Sequence, residues 1–365
     1  MDARLASFRP PFCPWPRCHN HLHREGWDWA RFGTYTRKCE PRVIPRFRCG
    51  RCGRTFSTQT FSTTYYLKRP EIQIPLFYRL LACSGYRQMA REMKVHSTSV
   101  MGQAARLGRH ALLALQKLRP RSALAEPLVI DGFESFAFSQ YWPLNLNLAV
   151  GARSQYCYGF THSELRRKGR MTELQKRRRA RLEEQYGRPE PRAVENGIVE
   201  LLRLAVPREQ ELVVRSDEHQ AYPRAFARLT GLRIHHERTP SIAARTRANP
   251  LFPVNLLDHL LRHNSANHKR ETIAFSKRDQ SVVERAAVLV LWRNYAKPSS
   301  ENHDWRTPAM RLGIAGTPLA LEKLLERRLF RTRIGLPSPW DRYYGRDLET
   351  RQIRNPRLHR LARAF

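Results

Sequence analysis

Between residues 126 and 298 the hydrophobic positions alternate between two periods, one typical of strands and one typical of helices. Three apolar runs come first and can pair as an antiparallel meander. A helix, a strand, a second helix and a last short strand follow. The predicted elements are strands at 128–138, 144–152 and 156–161, a helix at 194–204, a strand at 212–216, a helix at 222–229 and a strand at 233–236. This order predicts an α/β domain with a mixed sheet and flanking helices.

Two acids directly follow short apolar runs of predicted strands in this pattern. The order of elements matches an RNase H-like fold, in which the first and fourth strands lie side by side. Asp131 follows the apolar run 128–130, and Asp217 ends a similar unit at 212–217. If those strands are neighbours, both carboxylates reach the same edge of the sheet. Glu218 is adjacent to Asp217, but strand alternation sends their side chains to opposite faces, and the comparable position of Asp131 favours Asp217.

A third acid, Asp258, lies in a helical pattern at 254–262. Two carboxylates on strands and one on a later helix suit a pair of Mg²⁺ (or Mn²⁺) ions, because these ions prefer carboxylate oxygens and water. Glu134 and Glu271 are the rival third acids. The predicted catalytic residues, and the predicted magnesium ligands, are Asp131, Asp217 and Asp258.

Residues 69–125 show a helical period interrupted by short turns. Helices are predicted at 74–82 and 86–93, and Ser97 is the predicted N-cap of a third helix that starts at Thr98. This spacing is typical of a helix-turn-helix segment whose third helix enters the major groove of DNA. A small three-helix connector is the alternative, and the apolar residues that continue the third helix are expected in a core or an interface. The candidate DNA-binding residues are Arg87, Gln88, Arg91, Ser97, Thr98, Ser99, Gln103 and Arg106.

Composition adds an expected partner to this fold. The 365 residues include 66 Lys+Arg against 32 Asp+Glu, which gives a formal net charge of +34. Such a surface attracts polyanions, so we expect double-stranded DNA as the partner. Ribosome association and binding to a membrane surface are the alternatives. No apolar run approaches the roughly 18 residues of a transmembrane helix, and residues 1–11 lack a signal-peptide core, so a cytoplasmic protein is expected.

Four of the seven cysteines form two close pairs, Cys13 with Cys18 and Cys49 with Cys52. Four thiolates at this spacing suit a tetrahedral zinc ion, and such pairs favour metal binding in a reducing compartment over disulfides. Short strands at 32–38 and 44–48 complete a predicted zinc ribbon, for which the metal supplies folding free energy. The alternative sources of one ligand are His19, His21 and His23. Ordinary structural roles are expected for Cys39, Cys83 and Cys157.

The 164–192 stretch within the α/β domain contains eleven Lys+Arg and five acids. A helix at 171–186 would be polar nearly all round, which suits a solvated arm or a contact with DNA phosphates. Segment 308–314 and the arginine-rich end, 331–365, are expected to lie outside the catalytic domain, with the final part ordered by DNA or another protomer. The predicted units are a zinc ribbon at 1–68, a helix-turn-helix segment at 69–125, a catalytic domain at 126–298 and a basic tail at 299–365.

The ordered combination of these features resembles bacterial insertion-sequence transposases of the DDE class, over about residues 10–330. The cysteine pairs, the helix-turn-helix segment and the stretches 52–57, 270–277 and 292–295 carry the resemblance. By that likeness Asp258 is the third catalytic acid, although many relatives have Glu there. The first two acids match Asp131 and Asp217, and the polar residues that follow the third acid resemble Arg262, His263 and Asn264.

The resemblance implies magnesium-dependent cleavage at the ends of an insertion element and strand transfer into target DNA. Because two ends must be brought together, it also implies at least a dimer, acting at the bacterial nucleoid. Three other functions remain open from the residues alone. They are a non-catalytic DNA-binding regulator, a host nuclease of the same fold and an RNA-binding zinc protein.

Overall fold

The computed structural model of the chain describes residues 7–269, 271–300 and 302–353. Its N-terminal part is a small antiparallel sheet in the order β1-β2-β3. The strands are β1 (Trp29–Thr36), β2 (Val43–Cys49) and β3 (Thr55–Ser57). One face of this sheet buries Phe47 and Phe56 against the loops that carry the cysteines. The two strands predicted for the ribbon correspond to β1 and β2.

Three helices follow, α1 (Gln73–Leu80), α2 (Tyr86–Glu92) and α3 (Ser97–Leu118). The third is one continuous helix of 22 residues. The predicted DNA-facing helix and the apolar stretch after it therefore belong to a single element. The prediction of Ser97 as N-cap is wrong. The cap is His96, which has an extended backbone and whose side chain accepts a hydrogen bond from the backbone N–H of Thr98.

The main sheet has five strands in the order β6-β5-β4-β7-β8. The first three along the chain pair antiparallel, and β7 and β8 run parallel to β4. A mixed α/β domain is confirmed, with the first and fourth of its strands side by side. The strands are β4 (Leu128–Phe136), β5 (Pro143–Gly151), β6 (Cys157–Glu164), β7 (Glu211–Ser216) and β8 (Arg233–Arg238).

Helices cover both faces of this sheet, and β5 is buried along almost its whole length as a result. The helices of this part are α4 (Glu173–Tyr186), α5 (Ala193–Ala205), α6 (Ala221–Phe226), α7 (Phe252–Asn264) and α8 (Asp279–Tyr295). Helix α5 packs on β5 and β6, α7 packs over β4 and β5, and α8 packs against β6 and along α3. None of the helices in the described ranges has the length and apolar character needed to span a membrane.

The polar helix predicted in the 164–192 insertion is α4, and none of its residues is buried. It forms an arm that is fixed at its base. Glu183 accepts two hydrogen bonds from the Arg166 guanidinium, at 2.8 and 2.9 Å. Arg351 donates to the carbonyl oxygens of Tyr186 and Gly187 at the end of the helix.

The C-terminal residues pack into the main body, contrary to the prediction. This segment contains α9 (Pro308–Arg311), α10 (Leu321–Leu324) and α11 (Trp340–Gly345). Helix α9 contacts α8, and Trp340 and Tyr343 lie in the main hydrophobic core against Phe160 of β6. Although this segment is rich in arginine, its aromatic side chains supply enough apolar area to be buried in the core. The last residues of the predicted tail, 354–365, lie outside the described residues.

Candidate active site and metal centre

The pairing of β4 with β7 brings two predicted acids to the same end of the sheet. Val129 pairs with Arg215 in a parallel register. Asp131 and Asp217 each come two residues later, so they occupy equivalent positions on one face of neighbouring strands. Leu128, Val129 and Ile130 before the first acid, and Leu212 and Val214 before the second, are buried in the core, which leaves the acids at the edge where the strands separate.

Helix α7 carries the third predicted acid, Asp258, near the same face. One turn later, Arg262 donates hydrogen bonds to the carbonyl oxygens of Glu134 and His268, both at 3.2 Å. Its guanidinium also lies 4.6 Å from the ring centroid of Phe133. Since Glu134 and Phe133 belong to β4, Arg262 ties α7 to the strand that carries Asp131.

Burial and mutual charge raise the pKa of two of these acids. Burial is the main reason that the pKa of Asp131 rises to about 6; the charge of Asp217 adds to the rise, while the N–H of Gly132 and the charge of Arg245 oppose it. Burial also raises the pKa of Asp258 to about 8, and the charge of Asp131 adds to that rise. Asp131 therefore interacts electrostatically with both of the other acids.

The three aspartates are neighbours without forming a compact cluster. A set of three or more ligand atoms from His, Cys, Asp or Glu, all within 4.8 Å of one another, is found in the described ranges at the four cysteines and not at the aspartates. Asp131 accepts a hydrogen bond from the N–H of Gly132 at 2.7 Å, and Asp217 accepts one from the N–H of His219 at 2.9 Å. The Oδ1 atom of Asp258 is buried with no hydrogen-bond partner. A buried carboxylate oxygen in that position requires a proton or a cation.

The rival acids lie in more exposed positions. Glu134 is exposed on β4, and its charge contributes to the raised pKa of Asp131. Glu218 is exposed and accepts a hydrogen bond from the N–H of Ser241 at 3.2 Å. Glu271 is exposed in the loop before α8. Asp258 thus differs from all three in the burial of its carboxylate.

A cleft of about 1290 Å³ opens beside Asp131 and Asp217, and Asp258 does not line it. Some of its acidic side chains are already paired, Glu164 with Arg351 and Glu195 with Arg228. Its basic side chains come from both ends of the arm and from nearby elements, and they are Arg166, Arg167, Lys168, Arg188, Arg192, Arg224 and Arg351. Such walls attract a polyanion and lead one of its charged groups towards the acids.

The four predicted zinc ligands form a compact cluster. The Sγ atoms of Cys13 and Cys52 are 3.7 Å apart and those of Cys18 and Cys49 are 4.0 Å apart. Tetrahedral zinc with Zn–S distances of about 2.3 Å requires sulfurs about 3.8 Å apart, so these residues fit the ion. Burial opposes ionisation of Cys49, but N–H donors from Cys52 and Trp27 outweigh it and lower the pKa of Cys49 to about 7.

Comparison with known proteins adds little to this geometry. No family model and no curated protein matches the chain. Among solved structures, it is similar to a chain in the cryo-EM structure of the simian T-cell lymphotropic virus intasome in complex with PP2A regulatory subunit B56 gamma. The identity is 15%, over 67% of this chain and 74% of that chain, with a TM-score of 0.25. A TM-score this low does not establish a shared fold.

The three histidines near the first cysteine pair have other contacts. His21 is buried; its Nδ1 lies 2.8 Å from the carbonyl oxygen of Cys13 and its Nε2 lies 2.7 Å from the hydroxyl of Thr332. The rings of His19 and His23 stack on each other, with centroids 4.5 Å apart. These contacts favour four cysteines over a mixed set of ligands. Three further cysteines are free and lie apart from the cluster, namely Cys39, Cys83 and Cys157.

Six of the eight candidate DNA-binding residues lie at least partly on the surface of α2 and the first turn of α3, namely Arg87, Gln88, Arg91, Ser97, Thr98 and Ser99. The other two face inward. Gln103 is buried and donates to the carbonyl oxygen of Arg69 at 3.4 Å. Arg106 donates to the carbonyl oxygens of Thr63 and Tyr65. Gln103 and Arg106 thus hold the preceding segment against α3, and a DNA contact by either residue stays a prediction.

Two residues near the acids were not predicted from the sequence. Tyr222 is buried at the start of α6, and the charges of all three aspartates add to the effect of burial in raising the pKa of its hydroxyl. Arg245, in the loop between β8 and α7, acts electrostatically on both Asp131 and Asp258. The position of Tyr222 shortly after a strand-end acid is a weak signal. Nothing distinguishes Arg245 from the many other arginines.

Proposed function

We propose that this chain is a DNA transposase of the DDE class with an RNase H-like catalytic domain. The observation that carries the proposal is the equivalent position of Asp131 and Asp217 on paired parallel strands, with Asp258 close to Asp131. A cleft with basic walls ends at the two strand acids. The strand order β6-β5-β4-β7-β8 supports the RNase H-like assignment, because that fold sets its first and fourth strands side by side.

The acid site fits divalent cations. Burial among like charges makes two of the carboxylates hard to ionise, and Asp258 offers a buried oxygen without a hydrogen-bond donor. Asp131, Asp217 and Asp258 would hold Mg²⁺ or Mn²⁺, both of which prefer carboxylate oxygens. Two bound ions would activate the attacking oxygen and stabilise charge on the phosphate and the leaving 3′-oxygen.

The basic cleft would position the DNA backbone. Arg167, Lys168 and Arg192 line the cleft on the side of the arm and Arg224 lines it on α6, so phosphates on either side of the reacting one can be neutralised. The proposed reaction is attack by water at the element end, followed by attack of the freed 3′-hydroxyl on target DNA. Neither step needs a covalent bond to the protein, so no Ser or Tyr nucleophile is assigned.

The remaining parts would recognise the element ends. Arg87, Arg91, Thr98 and Ser99 are exposed on α2 and α3, where a helix-turn-helix segment contacts DNA. The zinc ribbon would be held by Cys13, Cys18, Cys49 and Cys52. Because two ends must be joined to one target, we propose that at least two copies act together.

The test is cleavage of labelled duplexes taken from the DNA that flanks the gene, in the presence of Mg²⁺ or Mn²⁺. Wild type should cut and join the strands, and Asp131→Ala, Asp217→Ala and Asp258→Ala should each abolish both activities. Glu271→Ala, at an exposed acid, should leave them unchanged. Zinc content and thermal unfolding of each variant control for misfolding.

The outcomes separate the competing functions. Binding without cleavage in wild type would support a DNA-binding regulator, and cut products without joined ones would support a nuclease. Activity that survives Asp258→Ala but not Glu271→Ala would assign the role of third catalytic acid to Glu271. Preference for structured RNA over duplex DNA at fixed salt would overturn the proposal altogether.

A further inference from the structure

An exposed aromatic ring lies beside two arginines on the outer face of the ribbon sheet, the face opposite Phe47. The ring is that of Phe32, which is 43% exposed. The guanidinium carbons of Arg46 and Arg48 lie 5.2 and 5.8 Å from its centroid. A hydrogen bond to the hydroxyl of Thr55, at 3.3 Å, holds Arg46, and one to the carbonyl oxygen of Gly53, at 3.1 Å, holds Arg48. These hydrogen bonds favour positions of the two guanidinium groups beside the ring.

The backbone of β1 is shaped to place Phe32 on this face. Arg31 pairs with Phe47 and Thr34 pairs with Pro45, so Phe32 and Gly33 together stand opposite one residue of β2. Gly33 has φ of +73°, a conformation that glycine adopts more readily than other residues. A β-bulge of this kind redirects a side chain. Here it directs a large apolar ring towards solvent, which core packing does not explain.

The positive charge of this face indicates which class of molecule it binds. None of the three ribbon strands contains an acidic residue, whereas Arg31, Arg46 and Arg48 lie on β1 and β2. A second copy of the chain would bring like charges together, so charge complementarity favours a polyanion. A ring can stack on a base only if that base is not already stacked within a duplex. Exposed aromatic rings combined with basic side chains are typical of surfaces that bind single strands.

We propose that the outer face of the ribbon sheet binds single-stranded DNA. Phe32 stacks on a base, and Arg46 and Arg48 contact the phosphates beside it. The choice of DNA over RNA rests on the proposed function. The assignment of this face as a single-strand binding surface does not rest on that function. The face is separate from Asp131, Asp217 and Asp258, and its test measures binding rather than cleavage.

The experiment is fluorescence anisotropy of a labelled oligothymidine with the zinc-loaded full chain, in the Asp131→Asn background and over a series of salt concentrations. Phe32→Ala should weaken binding roughly 5- to 150-fold, the range for loss of one stacked base, with an unchanged salt dependence. Phe32→Trp should restore binding to within about twofold of wild type, because it keeps a stacking face. Arg46→Gln and Arg48→Gln should each lower the slope of log affinity against log salt by about 0.7.

Two matched variants serve as controls. Val43→Ala changes a side chain that is 37% exposed on the same sheet, and Arg42→Gln removes an arginine already paired with Glu40; both should bind as wild type. Binding by Phe32→Ala within twofold of wild type would overturn the proposal. So would an equal loss for duplex of the same length, or a Phe32-dependent preference for the matching RNA strand. A change in mass by light scattering without a change in affinity would show a self-association surface instead.

Discussion

The carboxylate of Asp258 is in an environment that resists its ionisation. Its pKa rises from the ordinary 3.8 to about 8 through burial and the charge of Asp131. The native state therefore holds this proton more tightly than the unfolded chain does, so the free energy of unfolding should fall as pH rises from about 4 to about 8. Each unit of the difference corresponds to about 1.4 kcal/mol. Even half of the shift would be large against a stability of about 5–15 kcal/mol.

The Asp258→Asn variant has no titrating group at this position, so it tests whether Asp258 causes the predicted pH dependence of the free energy of unfolding. In zinc-loaded protein without added Mg²⁺, urea unfolding should show the variant more stable than wild type at pH 8 and more stable by a clearly smaller margin at pH 5. Glu271→Gln, at an exposed acid, should leave the pH profile unchanged. Adding Mg²⁺ at pH 8 should stabilise wild type more than Asp258→Asn, because the ion replaces the proton. Parallel pH profiles for wild type and Asp258→Asn would contradict the assignment.

Gly132, next to Asp131, leaves no room for a side chain. A Cβ atom there would lie 2.4 Å from Nδ2 of Asn145. That amide is held by a hydrogen bond to Asn147 at 2.8 Å, and Asn147 is bonded in turn to Thr161, so it cannot easily move. Gly132→Ala should therefore destabilise the protein by about 1–3 kcal/mol and displace the strand at Asp131.

The matched control is Gly102→Ala on α3, where a Cβ would meet nothing within 4 Å. Alanine is the better helix former, so this change should be neutral or stabilising by up to about 1 kcal/mol. Urea unfolding measures both variants. Equal effects of the two substitutions would show that the Asn145 side chain moves easily to make room for a Cβ at residue 132.

The proposed zinc ribbon should depend on its metal more than on its core. Its buried cluster contains few residues, and three of them are cysteines of the proposed site. Removing one ligand should therefore unfold the ribbon, since a structural zinc ion contributes about 10–16 kcal/mol in small domains. Cys18→Ser should lose the zinc and become sensitive to protease between β1 and β3, while the main sheet stays folded.

Cys39→Ser is the control for Cys18→Ser, because Cys39 lies outside the cluster and its thiol contacts the carbonyl oxygen of Leu67. It should keep one zinc ion per chain by elemental analysis. Retention of zinc by Cys18→Ser would mean that His19 or His23 had replaced the missing thiolate.

Strong hydrophobic periods made the main sheet predictable. Every one of its strands begins within one residue of the predicted start, because an apolar run beside helical segments leaves few other ways to bury it. The adjacency of Asp131 and Asp217 followed from that order, since parallel neighbours share an edge. Both inferences needed only local patterns and a rule about strand order.

Inward-facing polar residues were not predictable in the same way. Gln103 and Arg106 fit the helical pattern of the predicted DNA-facing surface, but their partners are backbone carbonyls more than 30 residues away. No local signal marks such a contact. Arg245 is placed beside the acids by the path of a loop, and Arg262 by the docking of α7 on β4. Tertiary packing decides the role of each.

The C-terminal segment links parts of the molecule that are far apart in sequence. Arg328 donates its backbone N–H to the carbonyl oxygen of Phe61 in the ribbon, at 2.7 Å. The carbonyl oxygen of Leu324 lies 2.8 Å from Nε2 of His110 in α3. Further on, Arg351 holds the end of the arm. The ribbon, α3 and the basic arm are thus held relative to the main sheet by one late segment, and its loss would affect all three.

Trp340 tests whether this segment is part of the folded core. The side chain is 2% exposed, and its Nε1 donates to the carbonyl oxygen of Phe160 in β6 at 3.0 Å. Trp340→Ala should cost about 3–5 kcal/mol, as other large-to-small changes in cores do. Trp305, 59% exposed on the same segment, is the matched control, and Trp305→Ala should cost less than about 0.5 kcal/mol. Urea unfolding followed by circular dichroism compares the two. If Trp340→Ala were as stable as Trp305→Ala, the segment would be an appendage; a large loss of stability would make it a structural layer of the sheet that carries Asp131 and Asp217.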